Sequence, residues 1–189
     1  MITYEREFSA EVMMLVVGGL MVLLVAGGIF ALGTFLGRIA GGRTKVKTRF
    51  LCLLPTAAAI LISIAGFIFN IGWCRIMLIF LLIPIWYPLL LVVSASASAP
   101  AMKQSALIRT CYIISHVFYV LSGLVLPDVG DEGPSYMFFG LIKYSHDGLM
   151  VLSAAMFIVS IATMIIQIVV AASINKASRQ SQQIQLQNW

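Results

Sequence analysis

Long apolar runs separated by short polar stretches organise this chain, and five of them can be traced along it. Each comes close to or exceeds the roughly 20 residues that an α-helix needs to cross the ~30 Å hydrocarbon core of a bilayer. The pattern predicts helices over 12–36, 50–70, 76–93, 107–126 and 149–174. The expected fold class is therefore all-α: a polytopic transmembrane bundle of five membrane-spanning helices forming one domain over 1–175. A tail over 176–189, rich in Gln and Ser, is too polar to insert.

The polar stretches sort by charge. If all five runs cross, Glu5, Glu7, Glu11, Asp128, Asp131, Glu132 and Asp147 share one face of the membrane. Arg38, Arg43, Lys45, Lys47, Arg49, Lys103, Arg109, Lys176 and Arg179 share the other, with Arg6, Arg75 and Lys143 as exceptions. An excess of Lys and Arg marks the cytoplasmic side, which places the N-terminus outside and the C-terminus inside. A re-entrant third run, suggested by Pro84 and Pro88, would instead carry Lys103 and Arg109 outside and the acidic loop inside; the charges oppose it.

Composition points the same way. The chain is 61% hydrophobic and 10% charged, against about 25% charged residues in soluble domains, so the bilayer acts as its solvent. The net charge of +5 lies in loops beside apolar runs, where anionic lipid is the natural counter-charge; nucleic acid is not an expected partner. The first run follows an acidic start and is about 25 residues long, whereas a secretory signal has a basic start and about 7–15 apolar residues. It reads as a retained helix. A bacterial inner membrane is the expected location, with an organelle membrane as the alternative. The odd number of cysteines, Cys52, Cys74 and Cys111, in no shared motif, argues against a disulfide framework.

Inside the runs, small and polar residues fall on stripes. Membrane helices associate where small residues let backbones approach and where polar side chains bond across. Gly33, Gly37 and Gly41 form two overlapping GxxxG patterns, a candidate packing ridge. Thr56, Ala59, Ser63, Gly66 and Asn70 alternate by three and four in the second run. Tyr112, Ser115, His116, Tyr119, Ser122 and Gly123 share a face of the fourth run, and Ser153, Met156, Ser160, Thr163 and Gln167 a face of the fifth. The plain reading is packing; the sharper one is a polar pocket or path between the second, fourth and fifth runs.

His116 decides between them, because an ionisable side chain deep in a span is a functional candidate by default. Its depth is level with Ala59, Thr163 and Gln167. A neutral His116 bonded to Thr163 or Gln167 would be satisfied without any function. The candidate polar site comprises His116, Tyr112, Tyr119, Ser63, Asn70, Thr163 and Gln167. Pro84 and Pro88 predict a kink in the third run that frees the carbonyls of Phe80 and Pro84. The loop from Pro127 to Gly148 offers a candidate contact surface, Asp128, Asp131, Glu132, Tyr136, Phe138 and Phe139, with room for a short interfacial helix.

Catalytic constellations are absent. Ser145, His146 and Asp147 are adjacent in sequence, and consecutive residues project apart instead of assembling a triad. The stretch GRIAGGRT from Gly37 to Thr44 has Arg43 where a phosphate loop needs Lys, and follows a helix where it needs a strand. His146 lies about half a bilayer from His116, too far for both to ligate one haem. No catalytic residue, metal or cofactor is expected. The expected function is a non-catalytic integral membrane protein that acts through helix or loop contacts with other membrane proteins, as an accessory, immunity or regulatory subunit, or through self-association. A small transporter or channel component and a quinone-binding redox protein, using Tyr112, His116 and Tyr119, stand as alternatives.

Overall fold

The computed structural model describes residues 19–20, 23–39, 46–69, 73–127, 136–138, 141–143 and 148–187. They form six helices: α1 (Leu23–Ile39), α2 (Val46–Phe69), α3 (Trp73–Phe80), α4 (Ile83–Ser98), α5 (Ala106–Val125) and α6 (Gly148–Gln187). Between α5 and α6 a two-residue hairpin pairs β1 (Tyr136–Met137) with β2 (Ile142–Lys143), antiparallel, with Tyr136 opposite Lys143. The fold is helical apart from that hairpin.

Among the described residues, three helices are long and apolar enough to cross a membrane, not five: the segments Thr48–Ile68, Ala106–Val125 and Gly148–Gln185. The expected first span is represented by α1, and its positions 12–18, 21 and 22 lie outside the described residues. The expected third span is corrected outright. Its apolar run is continuous in sequence but divides into α3 and the 16-residue α4, with Leu82 in the left-handed region at φ 55°. Proline explains the division. It lacks the N–H an interior helical residue donates but suits the first turn, where no such bond is made. Pro84 occupies that first-turn place in α4, so it starts a helix where a kink was expected. The Trp86 indole donates to the Leu81 carbonyl at 3.3 Å, covering part of the opened backbone.

The Ser/Ala stretch over 94–98 prolongs α4, as its alternating small residues allow. One further boundary differs from expectation: α6 continues without interruption through the polar tail to Gln187. At about 1.5 Å per residue, the 40 residues of α6 extend about 60 Å, roughly twice the hydrocarbon thickness. Among the described residues of the loop before α6, the β1–β2 hairpin is tied to α5 by the Phe138 N–H donating to Leu124 O at 3.0 Å; the rest of the segment with room for an interfacial helix lies outside the described residues.

Cross-helix bonds give the directions. Cys52 meets Tyr112 and Thr56 meets His116, so α2 and α5 run parallel. Ser115 meets Ser160 and Ser122 meets Ser153, so α6 runs against them. Ser94 meets Gln167, and Gly37 lies against Ser96, which aligns α4, α6 and α1. Arg38, Arg49, Lys103, Arg109 and Lys176 consequently share one end of the bundle. Arg75 lies at the other, fully buried, its guanidinium donating to Gly123 O at 3.0 Å and Leu126 O at 3.3 Å. Those carbonyls end α5, where a helix concentrates partial negative charge. The exception to the charge sorting is thus a helix cap. None of the seven acidic residues is among the described ones.

The main core cluster joins Leu53, Ala59 and Ile60 of α2, Tyr87, Leu91, Val92 and Ala95 of α4, Tyr119 of α5 and Met164 of α6. Near the basic end, a smaller cluster of Ala101, Ile108 and Ala171 closes the turn between α4 and α5 over α6. Ser105 caps α5, its hydroxyl accepting from the Ile108 N–H at 3.4 Å, as helix N-termini favour.

Candidate functional site

Two features occupy the interior: a polar seam and an apolar cavity. The seam centres on His116, buried on α5. Its Nε2 lies 2.8 Å from Thr56 Oγ1 of α2, and its Nδ1 lies 2.7 Å from the carbonyl of Tyr112 one turn back. A carbonyl only accepts, so the Tyr112 contact assigns the ring hydrogen to Nδ1. Nε2 then accepts from the Thr56 hydroxyl, which also lies 3.1 Å from the Cys52 carbonyl. The Tyr112 hydroxyl donates in turn to the carbonyl of Cys52. Each of the three donors has an acceptor, and the circuit closes between α2 and α5. The imidazole also stacks on the Tyr112 ring, with centroids 4.0 Å apart.

The seam continues onto α6 and α4. Ser160 donates to Ser115 O at 2.9 Å, and Ser153 to Ser122 O at 2.7 Å. Gln167, fully buried, donates to Ser94 O at 3.1 Å and lies 2.6 Å from Ser98 Oγ, while its Oε1 has no partner. Thr163 bonds back to its own helix, at Val159 O and Ser160 O. His116 therefore pairs across to α2, and Gln167 across to α4; the two do not meet. Thr56 was visible in the second-run stripe, but level placement by residue counting pointed to Ala59, one turn away.

The cavity has a volume of about 520 Å³, inside the ~300–1,000 Å³ range of small-molecule sites. All six helices line it, with Ile29, Phe67, Leu78, Pro84, Gly123 and Phe157 among the apolar contributors. Among the described residues its polar side chains are hydroxyls alone: Ser63, Tyr87, Tyr119, Ser122 and Ser153. Tyr87 packs between Tyr119 and Phe157, with both ring centroids at 4.6 Å. Of the candidate polar site, Ser63 and Tyr119 line this cavity, whereas His116, Tyr112, Thr163 and Gln167 do not. Asn70 lies outside the described residues.

The glycine ridge has an internal address. A Cβ on Gly33 would come within 2.7 Å of Val92, and one on Gly37 within 2.4 Å of Ser96 and 2.9 Å of the Val93 carbonyl. These two glycines seat α1 on α4. Ser96 adds a bond to Thr34 O at 3.3 Å. Gly41 lies outside the described residues, as do Asp128, Asp131, Glu132 and Phe139 of the candidate contact loop. Tyr136 and Phe138 fall in the hairpin, Phe138 with φ 47°.

A helical bundle with, among the described residues, three helices of membrane-crossing length and an interior seam of interhelical hydrogen bonds is the architecture of a helical membrane protein. The chain matches no protein-family model, no curated protein and no solved structure.

Proposed function

We propose that this chain is a non-catalytic integral membrane protein that acts by contact with other membrane proteins, in the manner of an accessory or regulatory subunit. The observation that carries this reading is the closure of the polar seam. His116, the one histidine among the described residues, is held between Thr56 and Tyr112 and lies outside the cavity. A conducting path lined by the second, fourth and fifth spans would need these polar groups turned toward water, and a quinone site at Tyr112 and His116 would need them open. Both groups are engaged between α2 and α5. What the described residues leave for partners is the outer helical surface and the exposed hairpin residues Leu141 and Ile142.

The bundle end carrying Arg38, Arg49, Lys103, Arg109 and Lys176 faces the cytoplasm under the positive-inside rule, in a bacterial inner membrane. The test is affinity capture from mild detergent, with bound proteins identified and counted. A reproducible companion protein at near-equal stoichiometry is the expected result. A monomer carrying only lipid would retire the reading.

A further inference from the structure

We propose that the arginines at one end of the bundle, Arg38 and Arg109 at the surface with Arg49 buried at the same depth, form a site for the phosphate of an anionic phospholipid. This inference does not depend on the contact function, and it holds whichever compartment that end faces. Three observations select the ligand.

The first is where the charges stand. The bonds of Cys52 with Tyr112 and of Thr56 with His116 share an offset of 60 residues, and one turn further that register sets Arg49 of α2 level with Arg109 of α5. Both arginines lie in the first turn of their helices, and neither first turn contains an acidic residue. A helix concentrates partial positive charge at its N-terminus, so a cation there is opposed and an anion is favoured. Arg38, in the last turn of α1, is close enough to Arg49 for the two charges to repel.

The second is the source of a counter-charge. No Asp or Glu occurs between Glu11 and Asp128 or after Asp147, so neither the helices nor the connections at this end of the bundle carry a carboxylate side chain. A phosphate answers the arginines well, because the guanidinium fork presents paired N–H donors to paired oxygens. Arg38 and Arg109 are exposed and reach such a ligand from the surface. Arg49 is buried and acts on it through its field.

The third is the surrounding surface. Arg49 and Arg109 stand at the starts of the crossing segments Thr48–Ile68 and Ala106–Val125, the depth at which basic residues meet lipid headgroups. At that level Ile39, Phe50 and Leu107 are large, apolar and exposed. A ligand that joins a phosphate to acyl chains matches both parts of this surface, whereas a free phosphate or an acidic peptide matches the arginines alone.

The full chain is purified in mild detergent and titrated with phosphatidylglycerol or with phosphatidylcholine of the same acyl chains, and bound lipid is counted by native mass spectrometry. Both lipids carry the phosphate, but only the second brings a cation of its own. The first lipid bound is expected to be phosphatidylglycerol, by at least about tenfold. Arg38→Gln and Arg109→Gln are each expected to lower that preference about fivefold, the worth of one cation at a lipid surface, with an unchanged unfolding midpoint. Lys103→Gln and Lys176→Gln remove the same charge from exposed positions at the same end and are expected to leave the preference within about twofold, because solvent and salt screen them.

Equal losses from the arginine and lysine substitutions would reduce the effect to diffuse surface charge and overturn the site. A wild-type protein that binds both lipids alike would overturn it too. Displacement of the bound phosphatidylglycerol by millimolar inorganic phosphate or polyglutamate would assign the arginines to a soluble anion and have the same consequence.

Discussion

Two seams hold this bundle together by opposite means. Between α1 and α4, glycines bring backbones so close that Gly37 has no space for a methyl group beside Ser96 and the Val93 carbonyl. Between α2 and α5, the helices stand far enough apart for an imidazole, a threonine and a tyrosine to exchange hydrogen bonds. In lipid neither seam draws on a hydrophobic driving force between helices, since hydrocarbon tails are as apolar as the side chains. The first depends on van der Waals contact, which fails when volume is added. The second depends on polar pairing, which fails when a partner is removed. The two seams should therefore respond to different substitutions.

The largest effect is expected at the close seam. Gly37→Ala places a Cβ against backbone as well as side chain, and backbone cannot rotate away. The helices must separate, at a cost of about 1–3 kcal/mol or more. Gly33→Ala meets side chains alone, those of Val92 and, at 3.4 Å, Leu89, and should cost less. Unfolding of the purified variants in mixed micelles measures both. Equal stability of Gly37→Ala and wild type would show that α1 does not rest on α4 through this face.

The polar seam should be softer. Thr56→Val leaves His116 Nε2 facing a methyl group, and the expected loss is about 1–2 kcal/mol. A double-mutant cycle of Thr56→Val with His116→Ala should return a coupling of about 0.6–1.7 kcal/mol, the span measured for bonds between membrane helices. Zero coupling would place His116 elsewhere. Gln167→Leu should cost less again, under about 1 kcal/mol, because it removes the unpartnered Oε1 along with the bonds to Ser94 and Ser98.

The contrast also explains what could be read in advance. Gly33 and Gly37 were legible as a packing ridge because spacing alone brings small residues onto one face. Their partner was not, since a ridge carries no mark of the helix it will meet. The polar stripes of the second, fourth and fifth runs were likewise visible, and all three contribute to the seam. Partner choice was misjudged because residue counting assumes straight helices with equal starting depth: His116 found Thr56 in place of Thr163 or Gln167. The division at Leu82 was read as a kink within one helix for a different reason. Hydropathy is blind to whether a proline stands in a helix interior or in its first turn, and the run around Pro84 is apolar throughout. The cavity was legible only in part: Ser63 and Tyr119 of the candidate polar site line it, but the apolar wall drawn from all six helices carries no mark in the sequence.

The smallest effect expected sharpens the comparison most. Gly28 belongs to the same helix as Gly33 and Gly37, but a Cβ there meets nothing within 4 Å. Gly28→Ala should change stability by no more than about 1 kcal/mol, in the direction of helix propensity and thus slightly stabilising. Unfolding in the same micelles makes the comparison direct, with residue type, helix and substitution held constant and only the neighbour differing. A destabilisation as large as that of Gly37→Ala would mean that the outer face of α1 is covered after all, by another copy or another protein. Its dependence on protein concentration would then tell the two apart, since dissociation of like chains follows mass action in this protein alone.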